Sequence, residues 1–262
     1  MDKLKMEKIK LNFSHDNAVA QIILDDGKGN VLDSMMMKEL HSIFLKLKSY
    51  NLIKLITIEG AGKHFSFGAS VFEHTKDQAP QMLRDFHQLF YDIIDLSIPV
   101  AAKVTGQCLG GGMELALITN FIFADATAKF GQPEIVLGVF APPASLLLPM
   151  KIGQVAAEEL LLTGKVISAD EAKNFGLINN ISQDKESLNS FVEGWIETNI
   201  IPKSASSLRY AVRAGRKVFN ETLLTKLPEL EKLFIEKLME TEDANEGINA
   251  FLEKRKPIWK NI

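Results

Sequence analysis

The sequence predicts an α/β fold with a helical C-terminal appendage, and three observations carry that prediction. Short apolar runs of strand character alternate with helically spaced apolar residues over the first two thirds of the 262 positions. From about residue 185 the pattern is almost entirely helical. The content of 46% hydrophobic and 24% charged residues is that of a globular protein with enough apolar side chains to bury a sizeable core. No internal repeat or low-complexity stretch interrupts the chain, so residues 1–200 are expected to build a core that carries the site, and residues 201–262 a helical region.

The first strand is expected at Ala18 to Leu24, closed by the turn Asp25-Asp26-Gly27-Lys28-Gly29-Asn30. From Ser34 the spacing becomes helical: Leu40, Ile43, Phe44 and Leu47 fall at offsets of 0, 3, 4 and 7 and give one apolar face. A second strand follows at Ile53 to Ile58, then a helix from about Pro80 to Leu96 with Met82, Phe86, Leu89 and Ile93 on one stripe. Strands at Pro99 to Val104 and Phe121 to Ala124 flank the triplet Gly110 to Gly112, which opens the helical stretch Met113 to Ile118. Ile135 to Met150 is the most apolar stretch. Gly138, Pro142, Pro143 and Pro149 break it, it is too short to span a bilayer as a helix, and it reads as a buried wall. Ser168-Ala169-Asp170-Glu171 has capping-box spacing, with Gly176 as the stop of a short helix.

Composition removes several function classes. With 30 basic against 33 acidic residues the net charge is -3, so no overall field draws the chain to nucleic acid or to an anionic membrane, and any anion site must be local. The single cysteine, Cys108, cannot form an internal disulfide, and the lysine-rich start Met1 to Lys10 lacks the apolar block of an export signal; a cytoplasmic location is expected. His64, His74 and His87 have no partner at ligand spacing, so no metal site is expected. Ser70 and Cys108 lack a histidine with an orienting acid to activate them as nucleophiles. Gly110 to Gly112 lacks the lysine and hydroxyl of a nucleotide phosphate loop.

What remains is acid and amide chemistry. Glu114 and Glu134 stand 20 positions apart, in Gly110-Gly111-Gly112-Met113-Glu114 and Phe130-Gly131-Gln132-Pro133-Glu134, and a carboxylate in such apolar surroundings is costly unless chemistry uses it. The loop Gly62 to Ser70 is rich in small residues that leave backbone N–H groups accessible, and the amides that open the helix at Gly110 to Gly112 attract negative charge. Each glycine cluster alone suits an ordinary tight turn; two such loops together can supply the two donors of an oxyanion hole.

The segments His64-Phe65-Ser66-Phe67-Gly68-Ala69-Ser70, Gly106 to Leu115, Phe130-Gly131-Gln132-Pro133-Glu134-Ile135 and Phe251-Leu252-Glu253-Lys254-Arg255-Lys256-Pro257 resemble, in this order and over nearly the whole chain, the enoyl-CoA hydratase/isomerase or crotonase superfamily. The resemblance implies a crotonase-like spiral of repeated ββα units with C-terminal helices. It also implies an acyl-CoA thioester substrate and no resident cofactor, coenzyme A being part of the substrate. It places the oxyanion donors on the amides of Ala69 and Gly111, and the two catalytic acids on Glu114, which would activate water, and Glu134, which would exchange the proton with carbon. Retention of both acids implies hydration or dehydration, because relatives with other activities, many isomerases among them, often keep only one. A general hydratase or isomerase of linear acyl-CoA is the alternative reading, and the balanced charge disfavours an RNA-binding member.

The chain departs from many straight-chain hydratases at Pro142, where glycine is common, and at Ser70, where aspartate is frequent. Proline has no N–H to donate, so the wall is expected to be stiffer and more apolar and the acyl group to differ. In these segments the chain is most similar to members that hydrate a flat cyclic diene thioester in the breakdown of aromatic compounds through benzoyl-CoA. On that resemblance the loop around Ser66 to Ala69, with Ser66, Phe67 and Gly68, wraps the adenine end of coenzyme A through its backbone, Gly110 also contacts substrate, Phe72, Val139, Phe140 and Pro142 line the ring, and Lys254 and Lys256 approach the phosphates. Arg209, Arg213, Arg216 and Lys217 form a second basic face. Residues 201–262, with the stripe Leu230, Leu233, Phe234 and Leu238, are expected to assemble the chain into a homotrimer or a homohexamer and to form a lid over coenzyme A.

Overall fold

A computed structural model describes residues 6–262, so part of the lysine-rich start lies outside the described residues. In chain order the elements are β1 (Ile9–Ser14), β2 (Val19–Leu24), α1 (Ser34–Leu47), β3 (Leu55–Gly60), α2 (Ala79–Leu96), β4 (Val100–Val104), β5 (Gln107–Leu109), α3 (Gly111–Leu117), β6 (Phe121–Asp125) and β7 (Lys129–Gly131). Then follow α4 (Pro142–Ile152), α5 (Gln154–Thr163), β8 (Val166–Ser168), α6 (Ala169–Asn174), β9 (Asn180–Ser182), α7 (Lys185–Asn199), α8 (Ala205–Gly215), α9 (Lys217–Glu236) and α10 (Glu242–Leu252). Single 3-10 turns at Val71–His74 and Pro133–Leu137 precede α2 and α4.

Six strands form one sheet in the order β1-β2-β3-β4-β6-β9, parallel except for the β1–β2 hairpin, and β5, β7 and β8 form a second, smaller sheet. The chain repeatedly lays one strand in the large sheet, one in the small sheet, and then a helix: β4–β5–α3 is followed by β6–β7–α4. This is the expected ββα spiral. Its geometry puts the loops after the strands, and the N-termini of α3 and α4, on one side of the small sheet.

Period-two alternation sorts the strands between two cores. Ile56 and Ile58 face the main core with the α1 residues Leu40, Ile43, Phe44 and Leu47, while Leu55, Val19, Ala101 and Phe123 meet Leu188, Val192 and Ile196 of α7 on the other face. The α1 face is the one read from spacing, and Asp33 caps that helix by accepting from the amide of Met36 at 3.0 Å. The capping box at α6 is present in both directions between Ser168 and Glu171. β3 begins at Leu55, two residues later than expected, with Ile53 buried in its lead-in.

Three expectations need correction. The wall from Ile135 to Met150 is buried only in part: Ile135 and Val136 are exposed because Pro133 to Leu137 forms a 3-10 turn that aims successive side chains in different directions, and Met150 is exposed near the end of α4. The buried stripe of α9 is Leu223, Leu227 and Phe234, and Leu233 lies outside it, 48% exposed. The basic face is spent on the fold: Arg209 donates to the carbonyls of Tyr50 and Asn51, Arg213 to Oγ of Ser97, and Arg216 to the carbonyl of Ile118 at the end of α3. Among the described residues no helix is long and apolar enough to cross a membrane.

Candidate active site

Loop chemistry at Asp26 to Ser66 shapes the first wall. Asp26 accepts from the amides of Lys28, Asn30 and Val31, and the buried Asn30 side chain donates to the carbonyls of Ala61, His64 and Phe65. Ser66 Oγ donates to the carbonyl of Asn30 at 2.7 Å and accepts from the amide of Gly68 at 3.1 Å. Its own amide and carbonyl are bonded to Gln107 and Leu109. Ser66, expected to bind substrate, is therefore buried behind the wall with every polar group engaged; it holds the loop that presents Gly68 and Ala69.

That loop meets the start of α3. Gly110 has φ +50, a conformation open to glycine, and a side chain there would also strike Oε1 of Glu134, 2.6 Å from the position of its Cβ. A Cβ on Gly111 would lie 3.0 Å from the nitrogen of Ala69, so the two residues meet with no room for a side chain between them. The Ala69 amide has no hydrogen-bond partner among the described residues, and that of Gly111, at the first position of α3, points out of the helix ladder.

Ala69 and Gly111 both line a narrow cavity of about 80 Å3. Glu114 and Glu134 line it together with Phe67, Gly68, Ala69, Gly110, Gly111, Val139, Phe140 and Pro142. Most of the expected constellation is thus brought to one place. Phe72 is not there: it is 72% exposed, because the 3-10 turn turns it outward and points its neighbour Val71 inward. Lys254 and Lys256 are exposed on the segment after α10 and do not line the cavity of this chain. The sequence reading missed His74, Met82, Leu83 and Phe86, although the Met82–Phe86 stripe had been read as core, and Phe234 of α9, which packs edge-on against Phe140 at 5.4 Å.

The proline pair has a specific effect. Pro142 and Pro143 occupy the first helical positions of α4, where no amide partner is needed, so the first available N–H is that of Ala144. It donates to Oε1 of Glu114 at 2.9 Å. Glu114 therefore sits at the N-terminus of α4, which favours negative charge on it. Against this, burial first and the neighbouring Glu134 second push its pKa well above the usual carboxylate value. Glu134 is held by Gln132, whose amide reaches both carboxylate oxygens at 3.1 and 2.9 Å in the orientation that satisfies both groups. Burial raises the pKa of Glu134 to about 7. Two interacting carboxyls with raised pKa values share a proton near neutrality, which supplies one acid and one base.

The same shifts predict a pH dependence of stability. A carboxyl whose pKa is higher folded than unfolded binds its proton more tightly in the native state, so its contribution is fully present below 4.5 and is lost as pH rises through about 7. The melting temperature is expected to decline from pH 5.5 to 8, and Glu134→Gln to flatten that decline; an unchanged slope in the variant would contradict the assignment. Glu246, which Arg255 holds down at about 2, acts in a separate acid window below 4.5.

Other candidate chemistry falls away. Burial pushes the Cys108 thiol up, which keeps it protonated and inert. Nδ1 of His64 accepts from the amide of Gln107, and His87 pairs with Glu231. His15, Glu193 and Glu197 bring one ligand atom each within 4.8 Å of the others at the surface, outside the cavity, where the two carboxylates are exposed.

Two unpaired amides, a carboxyl pair and apolar walls around one cavity on a ββα spiral are the groups that acid–base chemistry on an acyl thioester calls for. The profile of the family described as enoyl-CoA hydratase/isomerase matches residues 14–261, and the chain belongs to that family. It is 41% identical over 253 residues to cyclohexa-1,5-dienecarbonyl-CoA hydratase of Thauera aromatica, covering 97% of each chain. It is also 30% identical to carnitinyl-CoA dehydratase of Proteus mirabilis, over 95% of this chain and 98% of that one. The crystal structure of an enoyl-CoA hydratase from Mycobacterium avium subsp. paratuberculosis superposes with a TM-score of 0.86 at 22% identity, over 98% of this chain and 100% of the other, and shares the fold. The enzyme is an acyl-CoA hydratase.

Proposed function

We propose that this hydratase adds water to cyclohexa-1,5-diene-1-carbonyl-CoA, giving 6-hydroxycyclohex-1-ene-1-carbonyl-CoA in the anaerobic breakdown of aromatic compounds through benzoyl-CoA. The observation that carries the reading is the similarity along 97% of the chain to a hydratase named for that ring thioester. The narrow cavity, walled by Val139, Phe140, Pro142 and Phe234, is a second support, since a flat ring loses little conformational entropy in it.

The chemistry follows from the groups present. Oxygen of water bonds to the ring carbon β to the thioester while one of its protons passes to a carboxylate. Electrons move through the conjugated system onto the thioester oxygen, where the amides of Ala69 and Gly111 meet the developing charge. The carboxylic acid then delivers a proton to the far end of the diene, the remaining double bond shifts, and atoms balance as substrate plus water. In this reading Glu114, whose Oε1 accepts from the Ala144 amide, is the base and Glu134 the acid, and the proton that the coupled pair shares near neutrality is the one delivered to carbon. Coenzyme A enters with the substrate and no further cofactor takes part. The enzyme works in the cytoplasm as a homotrimer or a dimer of trimers, with residues 201–262 serving assembly and covering coenzyme A, and Lys254 and Lys256 approaching its phosphates.

A panel of cyclic and linear thioesters, followed by absorbance and mass, tests the substrate. The cyclic diene thioester is expected to exceed crotonyl-CoA in kcat/KM by about 10-fold or more, the scale on which a shaped apolar pocket discriminates. Rapid hydration of crotonyl-CoA with none of the ring would reject it in favour of a general enoyl-CoA hydratase.

A further inference from the structure

The cavity holds one titratable side chain that the steps above leave unused. His74 closes the 3-10 turn Val71–His74 and lines the cavity together with Glu114 and Glu134. Its Nδ1 lies 2.8 Å from the carbonyl oxygen of Ser70, and since a carbonyl only accepts, Nδ1 carries the hydrogen. Burial holds the pKa of the ring below its usual value, against the opposing pull of the Ser70 bond and of Glu73. The ring is therefore neutral, with its lone pair on Nε2. Among the described residues the side-chain nitrogen sealed from solvent without a partner is Nε2 of His87; Nε2 of His74 meets no protein donor either, and so faces open space.

Water brings two O–H groups into an apolar cavity, and only one is consumed. One proton goes to the carboxylate base; the other stays on oxygen through the transition state and into the product hydroxyl, where it needs an acceptor. The second carboxyl is protonated and committed to carbon. His74, Glu114 and Glu134 are the polar side chains that line the cavity, and Nε2 of His74 is the acceptor among them that no proton transfer engages. We propose that Nε2 of His74 accepts the retained O–H of the attacking water, and of the product alcohol in the reverse direction, and so fixes which carbon the oxygen joins. No proton is transferred to the ring. The inference rests on the hydratase reading, but does not depend on which acyl group is hydrated.

Three substitutions separate this role from a merely structural one. Glutamine places an amide oxygen near the position of Nε2, asparagine can keep the bond to the Ser70 carbonyl without an acceptor at Nε2, and leucine does neither. Each variant is assayed on whichever thioester the wild type hydrates best, with its melting temperature measured alongside. His74→Gln is expected to stay within a few-fold of wild type, while His74→Asn and His74→Leu lose about 10-fold in kcat with KM little changed, the scale of one neutral hydrogen bond. Activity preserved in His74→Asn but lost in His74→Gln would overturn the proposal and leave His74 as a brace for Ser70. So would three variants equal to wild type, or three equally impaired. A wild type that hydrates only linear thioesters would reject the ring substrate and leave this test intact.

Discussion

Glu134→Gln is expected to lower kcat by about 100-fold or more while KM stays within a few-fold of wild type. Glutamine matches the shape of the carboxyl but exchanges no proton, so it removes the acid that delivers hydrogen to carbon and leaves the cavity walls and the two amides in place. A second consequence distinguishes this outcome from general damage. In this reading the alkaline limb of the pH–rate profile reports loss of the proton from Glu134, so the residual rate of the variant should lose that limb while the acid limb set by Glu114 remains. Glu114→Gln should cost a comparable factor, and the double variant little more than either single one, as for groups that act as a unit. Near-wild-type hydration by Glu134→Gln would remove it from the chemistry.

How far the sequence reading reached depended on the range of the interactions involved. The faces of α1 and α2 were legible because their apolar residues recur at helical spacing over 14 and 18 residues. β5, β7, β8 and β9 are three residues each, too short for any period to register, so the small sheet that positions the site went unseen. β1 was legible in principle, as Ile9, Leu11 and Phe13 alternate with Lys10, Asn12 and Ser14, but the same alternation suits a solvated start. The outward Phe72 and inward Val71 differ by one step of a four-residue 3-10 turn, and composition does not choose between two adjacent apolar residues. Phe234 was recognised as apolar, while its partner Phe140 lies 94 positions away and only the folded chain joins them. The acids were legible by their glycine and proline turns; the Ala144 amide that meets Glu114 was not, although Pro142 and Pro143 mark where the first free amide must fall.

Gly111→Ala should abolish most activity in a protein that still folds, and the contrast between the loss of rate and the smaller loss of stability from the tight methyl is what tests the oxyanion site. Alanine is the best helix former, and Gly111 is the first residue of α3, so the backbone tolerates the change. The added methyl, however, would stand 3.0 Å from the nitrogen of Ala69 and 3.2 Å from Cζ of Phe86. A contact that close crowds the nitrogen of the Ala69 amide, so the methyl narrows the space in which a thioester oxygen would meet the two N–H groups. Loss of oxyanion stabilisation typically costs about 100- to 1000-fold in rate, and kcat/KM should fall on that scale for every thioester the wild type accepts, linear or cyclic. Uniform loss across substrates separates this effect from a change in the ring pocket at Phe140 or Phe234, which would alter the ranking of substrates. Retention of more than about a tenth of wild-type kcat/KM by a folded Gly111→Ala protein is incompatible with a thioester oxygen bound between Ala69 and Gly111.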